Sequence, residues 1–113
     1  MDKELKKIVE LALSEDIGSG DLSSSLLDDV IINAEIICRD RAIICGIEYF
    51  DLCFLSLDKD IEIKWKLKDG DKVQPGEIIC NIKGRSRSII TAERTALNFL
   101  QILSGTSTKT NYL

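Results

Sequence analysis

Three arginines in the second half of the chain are the side chains whose type and spacing best suit ligand binding. Arg85, Arg87 and Arg94 lie close together in a sequence whose other basic residues are mostly lysine. A guanidinium is planar and permanently charged, so it holds a carboxylate or a phosphate through two parallel hydrogen bonds. Arginines at this spacing also occur on solvated charged surfaces, and the spacing alone favours that second interpretation.

Residues 15–21 form an acidic segment with the composition of a cation-binding loop. Three carboxylates and two glycines occur among these seven residues. The segment lacks the ligand spacing and the final glutamate of an EF-hand loop. Gly18-Ser19-Gly20 is not followed by a lysine and a hydroxyl residue, as a phosphate-binding loop would be. We therefore predict a solvated loop that ends the first helix, and no metal site.

The composition excludes several other chemistries. The 113 residues include no histidine, so Ser-His and Cys-His catalytic pairs are excluded within this chain. The net charge is −4, with acidic and basic residues interspersed. This distribution argues against nucleic acid and against an anionic membrane surface as partners. The apolar runs are also too short for a membrane-spanning helix.

The four cysteines indicate packing rather than metal binding. Cys38, Cys45, Cys53 and Cys80 form no C-x-x-C pair, so no structural zinc site is predicted. Cys38, Cys45 and Cys80 lie in isoleucine-rich segments, where we expect free thiols buried as small hydrophobic groups. Unpaired cysteines and an N-terminus without a signal peptide predict a cytoplasmic location.

The hydrophobic pattern predicts the order helix, strands, helix, strands, helix, and therefore an α+β fold. Helices follow from apolar residues three and four apart, and strands from alternation. The predicted segments are helices over 3–14, 47–57 and 91–103, strands over 31–39, 42–45, 61–67 and 77–82, and turns over 69–71, 75–76 and 83–85. Thr91 is predicted as the N-cap of the last helix, which Ser104-Gly105 ends.

One hairpin has a motif of its own. The segment Asp69-Gly70-Asp71-Lys72-Val73-Gln74-Pro75-Gly76 resembles the G-D-x-V-x-x-G hairpin of biotinyl and lipoyl carrier domains. In those domains a carrier lysine follows, at a place that falls near Ser86 here. No Met-Lys-Met or Asp-Lys-Ala tripeptide occurs there. The hairpin therefore suggests half of a barrel-sandwich fold without a carrier function.

Four segments, in order and at matching intervals, carry a wider resemblance. They are Glu15-Asp16-Ile17-Gly18-Ser19-Gly20-Asp21-Leu22-Ser23, Gly46, Asp69-Gly70-Asp71-x-Val73-x-Pro75-Gly76 and Thr91-Ala92-Glu93-Arg94-Thr95-Ala96-Leu97-Asn98-Phe99-Leu100-Gln101-x-Leu103-Ser104-Gly105. Together they resemble the N-terminal part of quinolinate phosphoribosyltransferase, also called carboxylating nicotinate-nucleotide pyrophosphorylase. The departures are small: Ser23-Ser24 stands where threonines are usual, and Thr106-Ser107-Thr108 where Ile-Ala-Thr is usual.

The resemblance implies a phosphoribosyltransferase of NAD biosynthesis. The family converts quinolinate and phosphoribosyl pyrophosphate to nicotinate mononucleotide, pyrophosphate and carbon dioxide, with magnesium. It implies a barrel-sandwich-like N-terminal α+β domain with flanking helices over residues 1–105. Residues 106–113 would then begin a C-terminal α/β barrel, and the chain would be truncated before the rest of it.

The same resemblance implies where ligands bind. Arg94 matches a family arginine that reaches a quinolinate carboxylate across a homodimer or a higher homo-oligomer. Magnesium would bind with phosphoribosyl pyrophosphate at the barrel, so this chain would hold neither a catalytic residue nor a metal ligand and would be inactive alone. No role follows for Arg85 or Arg87.

Two other interpretations stay open. The absent barrel and the absent histidine also suit a non-enzymatic barrel-sandwich binding module. A molybdenum-transport-associated homologue of the same superfamily shares this region of sequence.

Overall fold

The computed structural model describes residues 3–20 and 29–113, with side chains described at all of these positions except 16–20. Residues 21–24, which belong to the family-like segments above or to their departures, lie outside the described part. The elements are α1 Lys3–Gly20, β1 Ile31–Cys38, β2 Ala42–Ile43, α2 Ile47–Leu55, β3 Glu62–Trp65, β4 Lys72–Val73, β5 Ile78–Arg85, α3 Ser86–Ser104 and β6 Thr108–Tyr112. The predicted α+β class with flanking helices is confirmed.

Four of the strands form one antiparallel sheet in the order β3-β5-β1-β6. Its centre is the pairing of β1 with β5, in which Ala34 lies opposite Ile82 and Ile36 opposite Cys80. The short strands β2 and β4 pair separately as a two-stranded ribbon. The chain therefore builds one main sheet with a small ribbon beside it.

One face of the main sheet forms the core. On β1 the alternate residues Ala34, Ile36 and Cys38 are buried, as the period-two pattern predicted. Cys80 and Ile82 of β5 lie on the same face, since side chains alternate along a strand. The helices supply the other half of this core through Val9, Phe50, Phe54, Ile89, Ala92, Ala96 and Leu100.

Two predicted boundaries are wrong because burial extends the elements. The predicted turn over 83–85 is strand, and β5 continues directly into α3 at Ser86. Gly84 fits a strand here because a Cβ at this position would lie 2.8 Å from Cγ1 of Ile61. Thr91 is not the N-cap of the last helix; Arg85 is, without a side-chain cap. Ile89 is fully buried, so an extra turn of helix is stabilised by packing.

The first helix is also longer than predicted. α1 continues to Gly20, so the predicted loop over 15–21 is wrong as far as the described backbone reaches. Glycine, serine and aspartate each cost a helix at most about 1 kcal/mol, and no proline interrupts this segment. At the other end of the chain, the predicted stop of α3 is confirmed: Gly105 has φ 69° and its N–H bonds Gln101 O at 2.9 Å.

The cysteines follow the sequence prediction except at one position. All four are free thiols, and Cys38, Cys53 and Cys80 are buried. Cys45 is exposed, because β2 ends at Ile43 and Cys45 lies in the link to α2 rather than in a strand. Its backbone N–H and carbonyl both bond the Ser104 hydroxyl, each at 2.9 Å.

The last strand lies beside β1 in the main sheet. Thr108 to Tyr112 pair with Cys38 to Ala34 in antiparallel register. Gln101 of α3 donates to the Thr108 carbonyl at 3.3 Å, which ties the strand to the helix before it. The assignment of residues 106–113 to a second domain stays a prediction. Within the described residues, no helix has the length and hydropathy needed to cross a membrane.

Candidate functional site

The structure places Arg94 on the exposed side of α3. The helix turns its buried stripe toward the core, through Ser86, Ile89, Ala92, Thr95, Ala96 and Leu100. Arg94, Arg87 and Asn98 are exposed. Arg87 is seven residues from Arg94, which is two turns of an α-helix, so both arginines project from one face about 10 Å apart along the axis. This face is the candidate anion-binding surface of the described chain.

The predicted arginine cluster is divided by the structure. Arg85 forms an ion pair with Asp29, with 3.4 Å between Nη1 and Oδ2. The other oxygen of Asp29 accepts from the backbone N–H of Arg87, also at 3.4 Å. Asp29 thus links the end of β5 to the first turn of α3, although such an exposed pair contributes little stability. Arg94 makes no hydrogen bond or ion pair with any described residue, so none of these residues competes with a ligand for its guanidinium.

The helix α3, which carries Arg94, is held in place on two sides. Ala92, Ala96 and Leu100 are fully buried on the opposite side of the helix. The neighbouring Glu93 accepts a hydrogen bond from the Tyr112 hydroxyl on β6. Burial raises the pKa of Glu93, and the Thr110 side chain partly opposes this shift. The helix therefore holds its position through packing on one side and through a contact with the last strand on another.

A partly buried polar contact lies between α2 and β3. The Trp65 indole N–H donates to Asp51 Oδ1 at 2.7 Å. Burial raises the pKa of the Asp51 carboxyl, and the hydrogen bond from Trp65 works in the opposite direction. Burial, together with the negative charge of Asp51, also raises the pKa of the Cys80 thiol, which therefore stays protonated at neutral pH. Cys80 is a core side chain and not a nucleophile.

Replacing Asp51 by asparagine and by alanine should affect stability differently at pH 7. When the pKa of a carboxyl is higher in the folded than in the unfolded state, the free energy of unfolding falls as the pH rises from the unfolded-state pKa to the folded-state pKa. Asp51→Asn should therefore be as stable as the parent chain or more stable at pH 7, with the difference shrinking toward acid pH. Asp51→Ala leaves the indole N–H without its acceptor and should cost roughly 1 kcal/mol. Urea unfolding across pH measures both.

The emission of Trp65 supplies an independent measurement, because it is the sole tryptophan of the sequence. We expect a change in emission whose midpoint lies above the ordinary aspartate pKa, and we expect Asp51→Asn to abolish it. Glu93→Gln is the matched control, since the pKa of Glu93 is also raised but its partner is Tyr112. A transition that survives in Asp51→Asn would show that another group titrates.

The exposed arginines of the described residues suit an anion better than a metal ion. No group of three or more His, Cys, Asp or Glu side chains comes together in the part of the chain covered by the structure. Sequence reasoning selected Arg94 as a candidate from its motif but did not point to Asp51 or Glu93. Asp51 contacts Trp65, 14 residues away, and Glu93 contacts Tyr112, 19 residues away. Because each partner lies in another element, no local sequence pattern predicts these contacts.

The chain matches the family model "Quinolinate phosphoribosyl transferase, N-terminal domain" over residues 21–104. It is 36% identical over 110 residues to quinolinate phosphoribosyltransferase [decarboxylating] 1 of Nicotiana glauca, covering 95% of this chain and 31% of that protein. It is 35% identical over 108 residues to the probable carboxylating nicotinate-nucleotide pyrophosphorylase of Bacillus subtilis, covering 95% of this chain and 37% of that protein.

Solved structures give the same result for the fold. The nicotinate-nucleotide pyrophosphorylase of Francisella tularensis matches with a TM-score of 0.82 and 40% identity, covering 86% of this chain and 35% of that one. The chain thus spans about a third of the length of the relatives it matches. The match to the family model includes the strands β1 to β5 and α3, on which Arg94 lies. This chain therefore belongs to the quinolinate phosphoribosyl transferase family, of which it carries the N-terminal domain.

Proposed function

We propose that this chain is the N-terminal part of a phosphoribosyltransferase of NAD biosynthesis, which converts quinolinate and phosphoribosyl pyrophosphate to nicotinate mononucleotide, pyrophosphate and carbon dioxide. The observation that carries the proposal is the family match over residues 21–104, which includes the helix bearing Arg94. The relatives named above are called quinolinate phosphoribosyltransferases or nicotinate-nucleotide pyrophosphorylases. Those names favour the enzyme over a non-enzymatic binding module and over a molybdenum-transport-associated homologue.

In this function, Arg94 binds a carboxylate of quinolinate. The exposed guanidinium on a helix fixed by its buried face can form two parallel hydrogen bonds to one carboxylate. Quinolinate carries two adjacent carboxylates, and its ring nitrogen must approach the ribose carbon as pyrophosphate leaves. A cation held in place before substrate arrives orients the dianion for that attack and supports the charges that develop.

Arg94 acts in this proposal on an active site that is completed by another subunit of a homodimer or higher homo-oligomer. Support comes from Arg94 itself, whose exposed side chain lies on the side of α3 away from the core of its own domain. The apolar side chains at the end of α3 are further support, because they could pack against another subunit: Ile102 is 78% exposed and Leu103 is 41% exposed. Exposed apolar side chains grouped together are typical of interaction surfaces.

The described residues do not fit a resident magnesium site, because they offer no cluster of oxygen, nitrogen or sulfur ligands. We propose that magnesium arrives with phosphoribosyl pyrophosphate and binds outside these residues. The cytoplasmic location likewise remains a proposal; the free thiols are compatible with it, and one relative from Arabidopsis thaliana is named chloroplastic.

The isolated chain should form no nicotinate mononucleotide from quinolinate and phosphoribosyl pyrophosphate. A chimera in which residues 1–105 replace the matching region of the Francisella tularensis protein should form it. The physical reason is that Arg94 can orient substrate but cannot by itself supply the groups that stabilise the leaving pyrophosphate. Product is measured by chromatography against a reaction without protein.

Two results would contradict this proposal. Turnover by the purified 113-residue chain above the protein-free control would show that the described residues suffice. A well-folded chimera with no turnover would show that this domain does not serve that reaction. The circular dichroism spectrum of the chimera is needed beside the assay, so that a failure to fold is not mistaken for the second result.

A further inference from the structure

The main sheet has a second, exposed face, opposite the face packed on the helices. Its side chains alternate with the buried ones along each strand and are mostly polar, although the exposed Ile31 of β1 also lies on this face. Glu62 of β3, Lys83 of β5 and Asn33 of β1 lie in one row across three strands. Lys64 of β3, Asn81 of β5 and Glu35 of β1 form the adjacent row. The register thus brings these polar side chains from three strands together, and all of them except Glu35 line one cavity.

These side chains surround a shallow cavity. Its volume is about 240 Å³, and it is lined by Asn33, Glu62, Lys64, Asn81, Ile82 and Lys83. Ligand pockets for drug-sized molecules usually have roughly 300–1,000 Å³. The cavity is therefore too small for a nucleotide but has room for a small ion with a few oxygens.

Four of the five polar side chains are hydrogen-bond donors. Each lysine offers three N–H groups and each asparagine amide offers two. Lys64, Lys83, Asn33 and Asn81 form no side-chain hydrogen bond or ion pair with other residues in the described ranges. Diagonal neighbours on a sheet face have Cβ atoms about 7–8 Å apart or less, so two long lysine side chains there can reach one bound group.

The lining of the cavity carries more positive than negative charge, unlike the chain as a whole. Lys64 and Lys83 outweigh the lining carboxylate of Glu62, and the nearby carboxylate of Glu35 accepts a hydrogen bond from the Asn111 amide at 3.0 Å, whereas the full sequence has a net charge of −4. An anion is therefore not attracted to this protein in general, and binding at the cavity has to come from local contacts. We propose that this cavity is a binding site for a small oxyanion with phosphate or carboxylate oxygens, independent of Arg94 and of the function proposed above.

An alternative assigns the same residues to an ordinary solvated sheet surface. Glu62 lies directly opposite Lys83, as in many cross-strand ion pairs. The structure shows no ion pair between them, but such a pair in solution would occupy the lysine. The two interpretations differ in what an added anion does to Asn33 and Asn81, since a cross-strand ion pair involves neither amide.

The test titrates the isotope-labelled 113-residue chain with pyrophosphate and, separately, with malonate, while NMR follows the backbone and the side-chain amides. We expect saturable shifts at the side-chain amides of Asn33 and Asn81. The stronger of the two probes identifies the preferred oxyanion. Raising the salt concentration should weaken binding, because the cavity is open to solvent. Titration without a shift at either asparagine would overturn the proposal.

Charge variants separate local binding from general electrostatics. Lys64→Gln and Lys83→Gln should each weaken binding by about 1.4- to fivefold, the range expected for an exposed charge contact. Glu62→Gln should strengthen it. Lys59→Gln and Glu10→Gln are the matched controls, since both positions are exposed and the net charge changes equally. Equal effects of the cavity variants and their controls would also reject the site.

Discussion

Replacing Arg94 by alanine in the chimera should reduce kcat/KM for quinolinate by roughly 30- to several-thousand-fold. If Arg94 binds a substrate carboxylate, its removal leaves a charge poorly paired in a closed site. Truncating one member of such a pair typically costs about 2–5 kcal/mol. Apparent affinity for phosphoribosyl pyrophosphate should change less, because Arg94 is proposed to contact the pyridine acid. Arg94→Lys should recover part of the loss, since an ammonium cannot form the planar fork.

Stability must be measured beside these kinetics. Arg94 is exposed and has no described partner, so Arg94→Ala should shift the free energy of unfolding by no more than about 0.5 kcal/mol. Arg41→Ala is the matched control, because Arg41 is also exposed but lies in the link between β1 and β2. A folded Arg94→Ala chimera with near-normal kcat/KM for quinolinate would reject the assigned role.

The oligomeric part of the proposal has a separate test. If Arg94 acts across a subunit interface, a mixed dimer can contain one intact site. Combining Arg94→Ala chimeras with chimeras inactivated in the barrel should therefore give more activity than the sum of the two separate proteins. Activity that stays at the level of the separate proteins, after subunit exchange has been verified, would place Arg94 in the active site of its own subunit.

Sequence reasoning predicted the elements better than their ends. Alternation on β1 and the apolar spacing on α2 and α3 identify these elements, because each leaves one face buried. The junction of β5 with α3 was missed for a physical reason. Gly84 has the local signature of a turn, but it is needed for the close approach of Ile61, which is 23 positions away in sequence. Contacts between residues so far apart in sequence cannot be predicted from the residues around either one.

The candidate site shows the same division. The motif around Arg94 predicts a carboxylate-binding role, which stays a prediction, and the structure shows that the side chain is exposed on α3. The separation of Arg85 from Arg94 could not be predicted, because it depends on Asp29 reaching the end of β5. The cavity on the exposed sheet face could not be predicted either. It depends on how β1, β3 and β5 are aligned with one another, and the sequence of a single strand does not determine that register.

Phe50→Ala should destabilise the chain more than any surface change considered above. Phe50 of α2 is fully buried. Its ring lies 5.1 Å from that of Phe54 and 5.0 Å from that of Trp65, the latter at 73° in an edge-on arrangement. Removing a buried phenylalanine ring loses both its transfer free energy and the contacts around the resulting cavity, at a cost of about 3–5 kcal/mol. Edge-on aromatic contacts add to that cost.

The measurement is urea or thermal unfolding, followed by Trp65 emission and by circular dichroism. Since a domain of this size has about 5–15 kcal/mol of stability, Phe50→Ala should lower the thermal midpoint by roughly 15 °C or more. Phe50→Leu keeps part of the volume and should cost about 1–2 kcal/mol, so it remains measurable if the alanine variant does not fold. Leu55→Ala on the same helix is the control, because Leu55 is 39% exposed and should cost less than about 1 kcal/mol. If Phe50→Leu and Phe50→Ala are no less stable than Leu55→Ala, the ring of Phe50 does not lie in the core. The contact of Phe50 on α2 with Trp65 on β3 would then be wrong as well.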